Sequence, residues 1–427
     1  MKKFGLIHLL LLFACIFSKV HAQEFQDCFR DSTLRIDYAF AGNESTQSIS
    51  IDQLNMSPRW YGKRKRLAEL PVEGNGQITV KDHRTGKIIY KNSFSSLFQE
   101  WLSYDEAKTA SKSFENVLLI PMPKDTVDVT IDLRNNRRQI VATLTHRIVP
   151  SDILIKHIGF RDKTPYETLS APKDTNCCIR IAYIAEGYQE SEMPAFIEDA
   201  KKAMDILFTY EPFKSYKDRF HVIAVKAPSR ESGTSEPGKG IWKNTALHSH
   251  FDTFYSDRYL TTLHLKELHD WLAGLPYEHI IVLVNTDKYG GGGILNSYNL
   301  TAAHHRLTPQ VVVHEFGHSF AGLGDEYGYE FEQIPMYPHD VEPWEPNLTT
   351  LVDFQHKWKD MLEKNTSIPT PATEKNKDKV GVYEGAGYAL KGVYRPMMDC
   401  RMRTNEYPYF CPVCERALRR LIQFYTE

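Results

Sequence analysis

The sequence predicts an all-β sandwich domain followed by an α/β (α+β) domain, on the strength of two contrasting patterns. Upstream of about residue 160, apolar and polar side chains alternate. Val127, Val129, Ile131 and Leu133 stand two apart, the turn residues Asn135 and Asn136 follow, and a β-rich run resumes over residues 140–144. That is a hairpin pattern. Downstream of residue 177, short apolar runs take turns with amphipathic stretches of helical period, as in domains that alternate strands with helices. A chain of 427 residues is also long for one core, so two domains are expected.

The elements are read in order. Residues 1–22 have the form of an export signal: Lys2 and Lys3, a nearly continuous apolar run over residues 4–17, then Val20-His21-Ala22 before the expected cut. Leu12-Phe13-Ala14-Cys15 is the weaker alternative, a lipid anchor at Cys15. Phe13 is bulky for such a site, and the cut would fall inside the apolar run. The run is too short to span a bilayer, and no later stretch reaches about 18 apolar residues. The mature chain is therefore expected to be secreted, periplasmic or at the cell surface, without a transmembrane segment.

Residues 23–160 form the expected β-sandwich. Ile78-Thr79-Val80 and Ile88-Ile89-Tyr90 flank a turn at Gly86, and residues 93–101 suit a short helix. Residues 161–176, polar and punctuated by Pro165 and Pro172, read as a linker. In the second domain, 177–427, strands are expected at 179–185, 220–225 and 279–284, and helices at 193–210 and 261–272. The glycines 290–293 suit a close approach at a sheet edge. The run 294–300 is then the expected edge strand, along which an extended peptide can pair.

Lys and Arg number 52 against 54 Asp and Glu, a formal net charge of −2. That balance gives no general attraction to nucleic acid or anionic lipid, so a partner must be selected by a local site. Of seven cysteines, Cys15 leaves with the signal. The even remainder in an exported chain suggests disulfides.

The chemistry concentrates after residue 308. Thr308 and Pro309 read as a helix start, with a capping hydroxyl and then a proline where no donor is needed, and Gly322 as its end. His314 and His318 stand four apart on this helix, so both imidazoles leave one face a turn apart and can reach one Zn²⁺ at about 2.0–2.1 Å. Glu315 beside them suits a general base acting on water. His-Glu-x-x-His also arises by chance, and a histidine pair can be structural. The context favours metal: the buried run Val311-Val312-Val313, the capped helix and the carboxylates just beyond its end. After the break at Gly322 only Leu323 and Gly324 precede Asp325, which makes Asp325 the first choice for third ligand and Glu326 the second. Either can instead be a loop carboxylate that accepts backbone donors. Tyr327 and Tyr329 pack under such a site or stabilise an oxyanion. Cys400, Cys411 and Cys414 lie close in sequence. A structural zinc there needs a fourth ligand, and in an oxidising compartment a disulfide between two of the three is expected.

The stretch His314 to Tyr327, with Tyr383-Glu384-Gly385-Ala386-Gly387-Tyr388, Cys400-Arg401-Met402 and Phe410-Cys411-Pro412-Val413-Cys414, resembles the bacterial IgA-peptidase-like zinc metallopeptidases. The likeness covers most of residues 177–427. It implies a zincin catalytic domain of metzincin-like type, with Met402, or alternatively Met398, beneath the metal. Against the metzincin pattern His-x-x-Gly-x-x-His, glycine comes one residue late, at Gly322, and Asp325 stands near the place of the third histidine.

Other features carry less. Gly290–Gly293 lack the following Lys-Ser/Thr of a nucleotide loop. His304 and His305 do not share a helix face with His314. Ser229, Ser232 and Ser235 lack a nucleophile-elbow pattern. The function read from the sequence is a secreted zinc-dependent endopeptidase: His314, His318 and Asp325 hold Zn²⁺, Glu315 is the base, and a protein or peptide, host or dietary protein included, is the substrate. The alternative is an extracellular protein- or carbohydrate-binding module with a structural or vestigial zinc site, which would need the histidines but not Glu315.

Overall fold

A computed structural model describes residues 24–330 and 336–427. The expected export signal, with Cys15, lies outside the described residues. The N-terminal domain is built on two four-stranded sheets. Its strands are β1 (Phe29–Gly42), β2 (Gln47–Pro58), β3 (Gly76–Asp82), β4 (Ile88–Phe94), β5 (Lys112–Pro123), β6 (Val127–Arg134), β7 (Ile140–Ile148) and β8 (Lys156–His157). The sheet orders are β5-β1-β2-β8 and β4-β3-β6-β7. Alternation on β6 buries Val127, Val129, Ile131 and Leu133 in the same core as Leu34, Ile36, Tyr38 and Phe40 of β1, so the two sheets enclose one apolar layer. The short helix Leu97–Trp101 starts at Ser96, whose hydroxyl accepts from Gln99 N.

The second domain carries a six-stranded sheet in the order β13-β14-β12-β10-β11-β9. Its strands are β9 (Tyr166–Ser170), β10 (Ile179–Glu186), β11 (Phe220–Val225), β12 (His279–Val284), β13 (Gly291–Ile294) and β14 (Tyr298–Ala302). The four central strands run parallel, and β9 and β13 are antiparallel edges. Both faces are covered. Ile179, Ile181 and Tyr183 pack with apolar residues of the helices Met193–Leu207, Thr308–Ala321 and Pro412–Thr426. Ala182 and Ile184 join the core that continues into the sandwich. A hairpin of β15 (Tyr383–Ala386) and β16 (Ala389–Arg395) completes the strands. No helix among the described residues is long and apolar enough to cross a membrane.

Three local expectations are corrected. Within the presumed linker 161–176, β9 is a strand that pairs with β11. Its half-exposed edge position explains its polar, linker-like composition. The helix expected from residue 261 spans Leu265–Trp271, because Thr261 is bridged to His250 in extended form. The edge strand is the glycine run β13, not residues 294–300. Those residues turn back at Ser297, whose N–H meets Ile294 O at 3.1 Å, and then enter the interior strand β14.

The two domains share polar contacts as well as a core. Arg35, 3% exposed, pairs with Asp37 at 2.6 Å in its own strand and with Asp270 at 2.6 Å in the helix Leu265–Trp271. Ser95 N–H donates to Leu295 O at 3.0 Å, just past the end of β13. Arg35→Ala leaves the buried Asp37 carboxylate without its cation. A stability loss of about 3–5 kcal/mol is expected in denaturant titration. A loss below about 1 kcal/mol would mean that this network does not tie the domains together.

Candidate metal centre

The helix Thr308–Ala321 forms as the sequence predicts, with one difference at its start. The Thr308 hydroxyl donates to Ala302 O (2.6 Å) and His305 O (2.7 Å) instead of capping, and so ties the helix to the end of β14. Gly322, at φ 59°, ends the helix, and Leu323 N–H returns to Gly317 O at 3.2 Å. That reversal carries the chain directly back to Asp325.

His314 and His318 bring their Nε2 atoms to 3.0 Å of each other. His314 Nδ1 lies 3.0 Å from Arg401 O, and His318 Nδ1 lies 2.5 Å from Leu323 O. A carbonyl oxygen only accepts, so the hydrogen-bond network assigns both Nδ1 atoms as N–H donors. Both Nε2 lone pairs are thereby aimed at a common point. Asp325 Oδ1 lies 3.0 Å from His314 Nε2 and 3.4 Å from His318 Nε2. It is buried and has no well-formed hydrogen bond among the described residues, while Oδ2 accepts from the Tyr388 hydroxyl. Burial alone would raise the Asp325 pKa, but positive charge at the adjacent rings holds it well below the usual carboxylate range. Against desolvation, the carboxylate in turn pushes His318 up to about 9, so the pocket between them favours a cation. Three electron-pair donors facing one point fit a divalent cation, and these residues form one candidate metal-holding group.

Glu315 lies beside this group. Desolvation outweighs the nearby imidazoles and raises its carboxyl pKa. A Cβ on Gly291 would stand 2.9 Å from Glu315 Oε1, and one on Gly293 would stand 3.0 Å from His318 Cβ. The glycines thus let the edge strand β13 lie directly on the helix Thr308–Ala321 where a side chain would not fit. On the outer side of β13, Tyr259 bridges to Gly291.

The profile of the family described as IgA Peptidase M64 matches residues 168–378 and 372–422, and that of Peptidase M64 N-terminus matches residues 24–145. The chain belongs to the IgA Peptidase M64 family. It is accordingly a peptidase, a hydrolase of protein or peptide substrates, with an N-terminal domain and a catalytic M64 domain. No curated protein matches the chain.

In this M64 peptidase the two carboxylates after the helix face different ways. Asp325 meets the histidines. Glu326, fully buried, accepts from Asn347 Nδ2 at 2.9 Å and lies 3.0 Å from Cys414 Sγ. The disulfide expected among Cys400, Cys411 and Cys414 is absent. All three are free, and Cys400 and Cys414 hold their sulfurs 3.9 Å apart, far beyond the roughly 2.05 Å of a bond. Met402 is fully buried, with Sδ 2.8 Å from where a Cβ on Gly317 would stand, so it packs on the helix between the two histidines. Tyr327 stacks on Tyr329 and meets Tyr388 edge-on. His304 pairs with Asp199, and His305 packs on Tyr289. The Ser229 hydroxyl accepts from Gly187 N and Ala246 N.

Two site residues have no assigned role in the sequence reading. Tyr388 orients Asp325, and Gly387 N–H also holds Asp325 O at 2.9 Å. The motif ending in Tyr388 is visible in the sequence, but its role is not. Asn347 clamps Gly324 from both sides, accepting its N–H at 2.7 Å and donating to its carbonyl at 2.8 Å. A lone asparagine in a loop carries no such signal.

Proposed function

We propose that this peptidase is an exported, zinc-dependent endopeptidase whose catalytic domain is a zincin of metzincin-like type. The observation that supports this reading most is the convergence of His314 Nε2, His318 Nε2 and Asp325 Oδ1 beside Glu315. Two neutral imidazoles and one carboxylate are a donor set that would hold zinc with room for water. Bound there, zinc would supply Lewis-acid polarisation of a peptide carbonyl and would make a water acidic, with a pKa toward about 7. The chain's own residues supply the rest. Arg401 O and Leu323 O fix the two rings, and Tyr388 occupies Asp325 Oδ2 so that Oδ1 faces the site. Glu315 takes a proton from the attacking water and delivers it to the leaving amine. Met402 takes the part of the metzincin methionine, packed under the ligand pair. The glycines 291–293 of β13 beside Glu315 suit an extended peptide laid across the site, which favours cleavage at internal bonds. The basic, then apolar, then small-residue start of the chain supports export.

The test is a peptide library incubated with purified protein before and after chelation. Cleavage at internal bonds is expected, lost with the metal and restored by added zinc. Undiminished cleavage by fully metal-stripped protein would overturn the reading.

A further inference from the structure

The catalytic centre leaves one buried polar cluster unused. Glu326, Cys400, Cys411 and Cys414 are all buried, and their four ligand atoms lie within 4.8 Å of one another. Four observations concern what this cluster is for. The Cys400 and Cys414 sulfurs stand 3.9 Å apart, and Glu326 Oε1 lies 3.0 and 3.9 Å from the Cys414 and Cys411 sulfurs. Sulfurs placed tetrahedrally on zinc at about 2.3 Å stand about 3.8 Å apart. The spacing is therefore that of ligands around one ion rather than of a disulfide, which needs about 2.05 Å. Glu326 Oε2 is fully enclosed and meets no donor among the described residues, a costly state for a carboxylate unless a cation balances it. Backbone N–H groups already point at the sulfurs: Cys411 N at Cys400 Sγ (3.2 Å) and Cys414 N at Cys411 Sγ (3.5 Å). Cys411 also caps the positive N-terminal end of the helix Pro412–Thr426, a position that favours a thiolate. Finally, a disulfide would use only two of the three thiols and leave Glu326 uncompensated.

We infer that Cys400, Cys411, Cys414 and Glu326 form a second, structural metal site for zinc, separate from the His314–His318–Asp325 centre. Three thiolates and one carboxylate complete a closed tetrahedron with no position for substrate. The site joins three segments that shape the catalytic centre. Cys400 precedes Arg401 and Met402, the carbonyl that fixes His314 and the thioether under the helix. Glu326 follows Asp325. The remaining two cysteines anchor the C-terminal helix. The second ion therefore braces the loop bearing Asp325 against the turn that orients His314.

The test starts from the mature chain purified without chelator, which is expected to carry about two zinc ions. The double variant His314→Ala/His318→Ala should keep one of them. Replacing that ion with Co²⁺ should give a thiolate-to-cobalt charge-transfer band, which an imidazole–carboxylate site cannot produce. Glu326→Gln and Cys414→Ser should each lose the thiolate-bound ion. Should any variant fail to fold, wild-type protein decides: unfolded without reductant and alkylated, it should show Cys400, Cys411 and Cys414 all modified. A disulfide among these three, or a double histidine variant that is folded and metal-free, would overturn the second site. Either result leaves the catalytic reading standing, since that reading depends on the histidine-bound ion alone.

Discussion

Glu315→Gln is expected to retain the histidine-bound metal and to lose peptide turnover by about 10²–10⁴-fold. The substitution preserves the shape that packs closely against Gly291. On the proposed mechanism it removes only the capacity to take a proton from water and return it to the amine. His314, His318 and Asp325 keep their positions, since the groups that orient them are Arg401 O, Leu323 O and Tyr388. The loss should fall on kcat with little change in KM, because the proton transfer is made in the transition state and not in substrate binding. Steady-state kinetics on a cleaved library peptide, beside a metal count, measures both. Full activity would remove Glu315 from the mechanism.

Asp325→Ala is expected to weaken metal binding at the histidine pair by more than the roughly 10–100-fold that follows loss of an outer-sphere partner. On the proposed assignment it deletes a direct donor to the metal, and it leaves the Tyr388 hydroxyl without its acceptor. Tyr388→Phe, which keeps the carboxylate but frees one of its oxygens, should fall within that 10–100-fold range. Glu326→Ala should likewise only loosen the histidine-bound ion, within that 10–100-fold range, because its carboxylate faces Cys411 and Cys414 on the other side of the chain. Competition with a chelator, followed by metal analysis, ranks the three variants. Loss of the histidine-bound ion in Glu326→Ala with retention in Asp325→Ala would reverse the assignment.

Features set by local chemistry are those the sequence makes legible. The four-residue spacing of His314 and His318, the stop at Gly322 and the alternation along β6 each depend on neighbours within a turn or a strand. The structure reproduces all three. Features set by contacts between distant segments are not legible. The glycines of β13 are poor strand formers by composition, and they form the sheet edge because the helix Thr308–Ala321 leaves no room for a Cβ on Gly291 or Gly293. β9 looks like a linker because an edge strand needs few apolar residues. Asp325 and Glu326 are equivalent as neighbours in sequence. What separates them is the arrival of Tyr388 on one side and of Asn347 and Cys414 on the other, from segments about 20 to 90 residues away. The cysteines follow the same logic: the disulfide expectation rests on compartment and count, whereas the spacing of their sulfurs depends on Glu326, a residue outside their segment.

The most direct test of the catalytic centre is an anomalous difference map at the zinc edge from crystals of active protein. The account predicts a peak bonded to His314 Nε2, His318 Nε2 and an Asp325 oxygen at about 2.0–2.2 Å. Crystals of protein that hydrolyses peptides but shows no metal between these three residues would contradict it.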